Sequence, residues 1–69
     1  MDIINTIKER REMLHVTQSV LAELSDVGLR TLKQFESGKG NPTLQTIEKI
    51  CDVLGLEICI KVKEIPLDK

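Results

Sequence analysis

Residues 17–42 read TQSVLAELSDVGLRTLKQFESGKGNP, and this stretch decides the fold of the chain. Apolar residues recur at helical spacing on both sides of the short segment 26–28. The pattern predicts one helix over residues 18–25 and a second over residues 29–37, joined by a tight turn. Two short helices joined in this way are a helix-turn-helix.

The second predicted helix has two unlike faces. Leu32 and Phe35 point the same way, because successive side chains turn by about 100° around a helix. The opposite face carries the long polar side chains Arg30, Lys33 and Gln34. Residues 28–41 hold three basic and one acidic side chain, although the whole chain has a net charge of −1. This helix therefore presents a surface suited to reading a polar or anionic partner.

Two further helices flank the motif. Residues 2–14 are predicted as an amphipathic helix with Asp2 as its N-cap, and Thr43 is predicted to cap a fourth helix that closes at Gly55. Thr17 is the predicted N-cap of the second helix. The apolar residues expected to face the core from the first, second and fourth helices are Ile3, Ile4, Ile7, Leu14, Val20, Leu21, Leu24, Leu44, Ile47, Ile50, Cys51 and Leu54.

The hydrophobic period changes after Gly55. Leu56, Ile58, Ile60 and Val62 alternate with polar or small residues, a period of two that predicts a strand. One strand needs a partner, and the simplest partner is the same strand of a second chain. The alternative is an extended tail packed on its own helices. The predicted organisation is thus a domain over residues 1–55, a dimerisation strand over 56–65 and a frayed tail over 66–69.

Composition excludes several classes of function. Phe35 is the only aromatic residue, which argues against stacking modules for single-stranded nucleic acid or RNA. Cys51 and Cys59 form no CxxC motif and are expected to be reduced, so no metal or cofactor site is predicted. One histidine and no phosphate-binding loop predict no enzyme. No long apolar run or signal-peptide pattern is present, so we expect a cytoplasmic protein without a membrane span.

The stretch VTQSVLAELSDVGLRTLKQFESGKGNPTLQTIEKICDVLGL resembles the Xre/Cro-type helix-turn-helix domain of phage and bacterial repressors. The usual pattern of that family is close to LSQxxLAxxxGVSxxT, followed by ExGKxNPTLxTLxKI and a final LG. The resemblance covers residues 16–56 without gaps. It implies a mainly α, lambda-repressor-like bundle of four to five short helices, and sequence-specific binding of double-stranded DNA.

The resemblance also implies which residues contact DNA: Thr17, Gln18, Leu29, Arg30, Lys33, Gln34, Lys39 and Asn41. Gln18 would bond a backbone phosphate at a helix N-terminus, and Lys39 and Asn41 would position the domain on phosphates. Arg30 suits guanine and Gln34 suits adenine. Leu29 has two alternative roles, contact with a thymine methyl and packing in the core. The alternative for the polar residues is a solvated helix face.

Other positions of the resemblance are structural. Arg11 and Glu36 match a pair that ties the first helix to the end of the third. His15 and Asp26 stand where the family usually has Gly, and both residue types tolerate a positive φ. Gly28 stands where Ser or Thr usually caps the third helix, which predicts a weaker cap. Lys8 and Arg10 are expected to be surface charges.

The C-terminal strand resembles that of HipB-like antitoxins, which repress their own operon and bind a toxin kinase. The sequence therefore predicts a homodimeric regulator on a palindromic operator, either an autoregulating repressor or an antitoxin, with a cognate toxin kinase as a further partner. The rival prediction is a protein-interaction module that touches DNA weakly, which the net negative charge favours.

Overall fold

The computed structural model describes residues 2–63, which form four α-helices. They are α1 (Ile3–Met13), α2 (Gln18–Ser25), α3 (Leu29–Glu36) and α4 (Leu44–Val53). The predicted helical fold and its helix-turn-helix are confirmed, with each helix end within two residues of its predicted position. None of these helices is long and apolar enough to span a bilayer.

Side chains of the predicted capping residues fix three helix starts. Asp2 Oδ1 accepts from the backbone N–H of Ile4 at 3.0 Å, and Thr17 Oγ1 accepts from that of Val20 at 3.1 Å. Thr43 Oγ1 accepts from the N–H of Thr46 in the same way. Each bond satisfies a donor that the helix itself leaves without a partner, and each is worth about 1 kcal/mol.

Two non-glycine residues adopt the left-handed conformation, as the sequence predicts. His15 has φ 59° at the turn after α1, and Asp26 has φ 58° where α2 ends. Histidine and aspartate are among the residues that tolerate this region best. The turns that the related pattern builds with glycine therefore keep their shape here.

The third helix begins without a side-chain cap. Gly28 occupies the N-cap position of α3 with φ −58° and ψ 140°, and no side chain accepts from the first turn. A Cβ at Gly28 would meet only Thr31 Oγ1, at 3.7 Å, which is an ordinary contact. The weaker cap predicted from sequence is confirmed.

We expect Gly28→Ser to stabilise the domain by about 0.5–1 kcal/mol, because serine adds a capping oxygen and restricts the unfolded chain. A gain of this size corresponds to a rise in melting temperature of about 2–8 °C for a domain of this length. Far-UV circular dichroism during heating measures it. Gly28→Ala, which restricts the chain without capping, is the matched control, and equal melting temperatures of the two variants would exclude the capping contribution.

The core lies where the four helices meet, with α2 packed on both α3 and α4, and α1 on α3. Its buried apolar residues are Ile7, Leu21, Ala22, Val27, Leu32, Phe35, Ile50, Cys51 and Leu54. Ile4 and Ile47 pack partly against them. The core predictions are therefore confirmed at the centre of each apolar stripe.

The prediction of burial is wrong for residues at the edges of the apolar stripes. Five of them are exposed: Ile3, Leu14, Val20, Leu24 and Leu44. Helix α2 turns its Leu21, Ala22 and Ser25 inward, one residue further along than the predicted stripe. Burial of Ser25 is tolerated because its hydroxyl donates to the carbonyl oxygen of Leu21 at 2.6 Å.

The predicted C-terminal strand is not observed among the described residues. Residues 56–63 form neither helix nor strand, because a strand needs a partner for its backbone groups and a single chain supplies none here. Leu56 and Ile58 pack partly against the core, whereas Ile60 and Val62 are 89% and 95% exposed. The end of the predicted strand at residues 64–65 and the predicted tail at 66–69 lie outside the described residues.

Candidate nucleic-acid interface

The outer face of α3 displays three of the residues predicted to contact DNA. Arg30, Lys33 and Gln34 are exposed, whereas Leu32, Phe35 and Glu36 on the other side are buried. Leu29 at the start of the helix is half-buried and packs against the core. Three polar side chains are thus held outward on a helix whose inner side is fixed by packing.

Glu36 links three helices through its carboxylate. Arg11 Nε donates to Oε2 at 2.8 Å and Arg11 Nη2 to Oε1 at 2.9 Å, so the predicted pair is present as a two-pronged salt bridge. Gln18 Nε2 donates to Oε1 at 3.0 Å, and Arg11 Nη1 also donates to the carbonyl of Val16. The hydrogen bonds that Arg11 donates to Glu36 raise the pKa of Arg11 above its usual value. The network locks the end of α3 to α1 and to the start of α2.

The N-terminus of α2 lies at the edge of this network. One amide hydrogen of Gln18 is taken by Glu36, which leaves the second for another acceptor. Within the described part of the chain, the backbone N–H groups of Gln18 and Ser19 have no hydrogen-bond partner. Free N–H groups at a helix N-terminus attract anions such as phosphate. Thr17 caps this end of the helix, and its hydroxyl oxygen already accepts from the N–H of Val20.

The loop after α3 packs against Gln34. The backbone N–H of Lys39 donates to the carbonyl of Gln34 at 2.8 Å. Gly40 has φ 80°, a conformation that favours glycine, and a Cβ there would lie 3.4 Å from Gln34 Cβ. The side chains of Lys39 and Asn41 are exposed on either side of it. The loop therefore presents them next to the α3 reading face.

The electrostatics of the surface are more favourable to an anion than the net charge indicates. Arg30, Lys33 and Lys39 are the exposed charges of residues 28–41, since the one acidic side chain, Glu36, is buried against Arg11. An acidic group that is paired inside the fold contributes little repulsion at the surface. Residues 28–41 thus carry three exposed positive charges and no exposed negative charge.

Two basic residues of α1 have roles that sequence reasoning missed. Arg10 is not a free surface charge, because its Nε donates to the carbonyl of Leu54 at 2.8 Å and ties α1 to the end of α4. Lys8 is half-buried and lines a cleft with Gln18 and Lys33, next to the start of α2. Only the tertiary packing of α1 reveals this position, so no spacing rule could have predicted it.

The cysteines are both free but differ in their surroundings. Cys51 is buried in the core, and burial together with the nearby carboxylates of Asp52 and Glu48 raises the pKa of its thiol. Cys59 is exposed. Among residues 2–63, no group of three or more potential metal ligands comes together.

Comparison with known proteins agrees with this geometry. The helix-turn-helix family model matches residues 7–60. The chain is 33% identical over 58 residues to the cryptic phage CTXphi transcriptional repressor RstR of Vibrio cholerae, covering 84% of this chain and 52% of the repressor. It is 41% identical over 54 residues to the type II methyltransferase M.SsoII of Shigella sonnei, covering 74% of this chain and 14% of the methyltransferase.

The chain thus spans about half of the phage repressor and a small part of the methyltransferase. The family match includes all of α2, the turn, α3 and the loop that follows. The chain therefore belongs to the Xre/Cro-type helix-turn-helix family.

Proposed function

We propose that this protein binds double-stranded DNA in a sequence-specific manner as a transcriptional repressor. The observation that carries the proposal is the single surface formed by the outer face of α3, the start of α2 and the loop at residues 39–41. It joins exposed basic and amide side chains to free backbone donors. The similarity to a phage transcriptional repressor supports the same role.

The surface divides into reading and positioning contacts. Arg30 can donate two hydrogen bonds to O6 and N7 of guanine, and Gln34 can pair with adenine in the major groove. Lys33, Lys39, Asn41, and the start of α2 with Thr17 and Gln18, would contact phosphates. Lys8 joins this second group because it lines the same cleft as Gln18. For Leu29, packing accounts for part of the side chain, and the exposed remainder suits a thymine methyl.

The proposed active form is a homodimer on a palindromic operator. Two recognition helices would then enter successive major grooves about 34 Å apart. The exposed apolar side chains of Ile60 and Val62 support association, since they would be covered by a partner. An operator-binding role requires access to DNA, so the cytoplasm remains the predicted location.

A second candidate is the antitoxin role, in which the domain also binds a toxin kinase. The exposed apolar side chains outside the reading face favour a protein partner of some kind: Met13 and Leu24 are each 63% exposed, and Leu44 is 57% exposed. A pull-down with the product of the neighbouring gene tests this role. Binding of that product to wild type, and its loss in Leu24→Lys, would support it. Absence of any binding would exclude it.

We propose no catalytic role for this chain. The segment that it shares with the methyltransferase makes up 14% of that enzyme. The candidate interface holds donors and positive charges, which suit binding of an anionic polymer. A duplex incubated with the protein and S-adenosylmethionine should remain unmethylated, and transfer of the methyl group would contradict the proposal.

We expect Arg30→Ala to weaken binding to the specific duplex by about 1–3 kcal/mol and to relax preference at one base pair, because arginine reads a base edge. Lys39→Ala should instead weaken binding to all duplexes and make the slope of log K against log salt shallower by about 1. Titration of a labelled duplex from upstream of the gene, beside an unrelated duplex, measures both effects at several salt concentrations.

Glu48→Ala is the matched control for these variants, since Glu48 is exposed on α4 and outside the proposed surface. Its binding should equal that of the wild type. If Arg30→Ala and Lys39→Ala also bound like the wild type, the assignment of α3 to the groove would be wrong. Equal, weak binding of the wild-type protein to both duplexes would argue for the protein-interaction role instead.

A further inference from the structure

An apolar row follows α4 and consists of Leu56, Ile58, Ile60 and Val62. Its first and second halves differ in how far they are exposed. Leu56 and Ile58 pack partly against the core of their own chain, whereas Ile60 and Val62 project from it almost fully exposed. Both halves have the same alternation, so both would face the same side of a strand. Within residues 2–63, the exposed half is thus not covered by other residues.

An apolar groove lies beside the packed half of the row. It has a volume of about 340 Å³, and its lining residues are Ile3, Thr6, Ile7, Cys51, Leu56, Glu57, Ile58 and Cys59. Ile3 at its rim is 45% exposed. Two copies of the chain would each have one uncovered pair of apolar side chains and one uncovered apolar groove, which makes the surface self-complementary.

Alternation restricts how two such segments can pair. Directly opposite residues of an antiparallel pair lie on the same face, so an apolar residue must face another apolar residue. With the two-fold axis at Cys59, Leu56 lies opposite the partner's Val62, and Ile58 lies opposite the partner's Ile60. Every member of the row then has an apolar partner, and each exposed residue lies next to the half that packs on the other core.

The same register matches the charges of the outer face. Centring on Cys59 places Glu57 opposite the partner's Lys61, twice by symmetry, and opposite charges across a ribbon are stabilising. Centring on Ile60 leaves Leu56 without an apolar partner. Centring on Ile58 would set Val62 opposite the partner's Leu54, which is buried at the end of α4 and cannot pair. A parallel pair would set identical segments side by side, which brings like charges together. One antiparallel register satisfies both faces.

We propose that a second copy of this chain docks through residues 56–62 in the antiparallel register centred on Cys59, with its Ile60 and Val62 placed over the groove beside Ile3 and Ile7. This inference rests on the proposed homodimer and specifies its interface. The two Cys59 residues then meet at the axis. Opposite Cα atoms in such ribbons are about 4.5–5.5 Å apart, within the range of about 4.4–6.8 Å that a disulfide spans.

Oxidation of the purified protein tests this contact. Diamide accepts two electrons and two protons from a pair of thiols, which leaves an S–S bond and the reduced hydrazine. We expect most of the wild-type protein to run as a covalent dimer without reductant and as a monomer with it. Cys59→Ser should abolish the covalent dimer. Cys51→Ala should still form it, because the Cys51 thiol is buried and the exposed Cys59 remains.

Charge exchange tests the register without cysteine chemistry. Glu57→Lys should raise the dimer dissociation constant about tenfold, since it places two like-charged pairs across the ribbon. The double variant Glu57→Lys with Lys61→Glu should restore wild-type affinity. Glu57→Lys with Lys63→Glu is the matched control, because it would restore affinity only in the register centred on Ile60. Sedimentation equilibrium measures all four proteins.

The outcomes separate this inference from the function on which it rests. A dimer that forms no disulfide at Cys59 and is not restored by Lys61→Glu would overturn the register while leaving the homodimer intact. On a duplex with a single half-site, a dimer would place two protomers and a monomer only one. Binding of only one wild-type protomer to this duplex would overturn the register together with the homodimer. Loss of DNA affinity in Arg30→Ala would still support the reading face in either case.

Discussion

Glu36→Ala should destabilise the domain by about 3–5 kcal/mol, which is the usual cost of removing one partner from a buried ion pair. The side chain of Glu36 is 3% exposed and that of Arg11 is 12% exposed, so the guanidinium would be left with little solvent. Gln18 would lose its partner as well. A chain of this length has a total stability of about 3–10 kcal/mol, so much of the variant should be unfolded.

Urea denaturation followed by far-UV circular dichroism measures this loss, because the chain has no Trp or Tyr for fluorescence. The matched control replaces both partners, Arg11→Met with Glu36→Leu, which removes the buried charges instead of stranding one. We expect the double variant to be markedly more stable than Glu36→Ala, although the carbonyl of Val16 then loses its donor. Equal loss in both would show that the lost hydrogen bonds to Glu36, and not an unpaired charge, cause the effect.

The second large effect is expected from the core side of the same helix. Leu32 has no exposed surface, and Leu32→Ala should cost about 2–5 kcal/mol through lost burial and the cavity left behind. Helix α3 has eight residues and buries only Leu32, Phe35 and Glu36, so a loosened Leu32 also loosens the reading face. Both the unfolding free energy and the affinity for the specific duplex should therefore fall.

Lys33→Ala is the matched control for Leu32→Ala, since the two residues are adjacent and one is exposed while the other is buried. Lys33 is exposed, so its removal should change stability by no more than about 0.5 kcal/mol while weakening DNA binding. If Lys33→Ala unfolded the protein, or Leu32→Ala left stability intact, the two faces of α3 would have been assigned the wrong way round.

Local chemistry explains why the helix boundaries could be predicted from sequence. Thr17 and Thr43 cap their helices through contacts with the next turn of the same helix, so a few adjacent residues contain all the information. The same holds for His15 and Asp26, whose positive φ follows from the residue type and from the glycine that the related pattern has there. Such features depend little on the remainder of the fold.

Tertiary packing explains what could not be predicted. An apolar stripe shows that a helix has a buried side but leaves its rotation uncertain when the helix has eight residues. Val20 and Leu24 are therefore exposed while Ser25 is buried, since the close packing of α2 on α3 and α4 requires the small residues Ala22 and Ser25. The contact of Arg10 cannot be predicted from sequence, because its acceptor, the carbonyl of Leu54, is 44 residues away.

The candidate site shows the same division. The helical periodicity of α3 alone predicts that Arg30, Lys33 and Gln34 point outward. The structure places all three on one exposed face. The sharing of Gln18 between Glu36 and an outside acceptor, and the position of Lys8 beside them, depend on how three helices meet. Direct measurement of DNA binding remains the test of each role.

The bond between Arg10 and the end of α4 has a consequence for how operators can differ among related proteins. The guanidinium also lies close to Gly55, where a Cβ would come within 3.3 Å of Nη2, so the chain leaves the helical body in a direction set by α1. In the proposed dimer this exit direction sets the distance between the two half-sites. Insertions or deletions at residues 55–56 should thus change the preferred operator spacing while the bases read within each half-site stay the same.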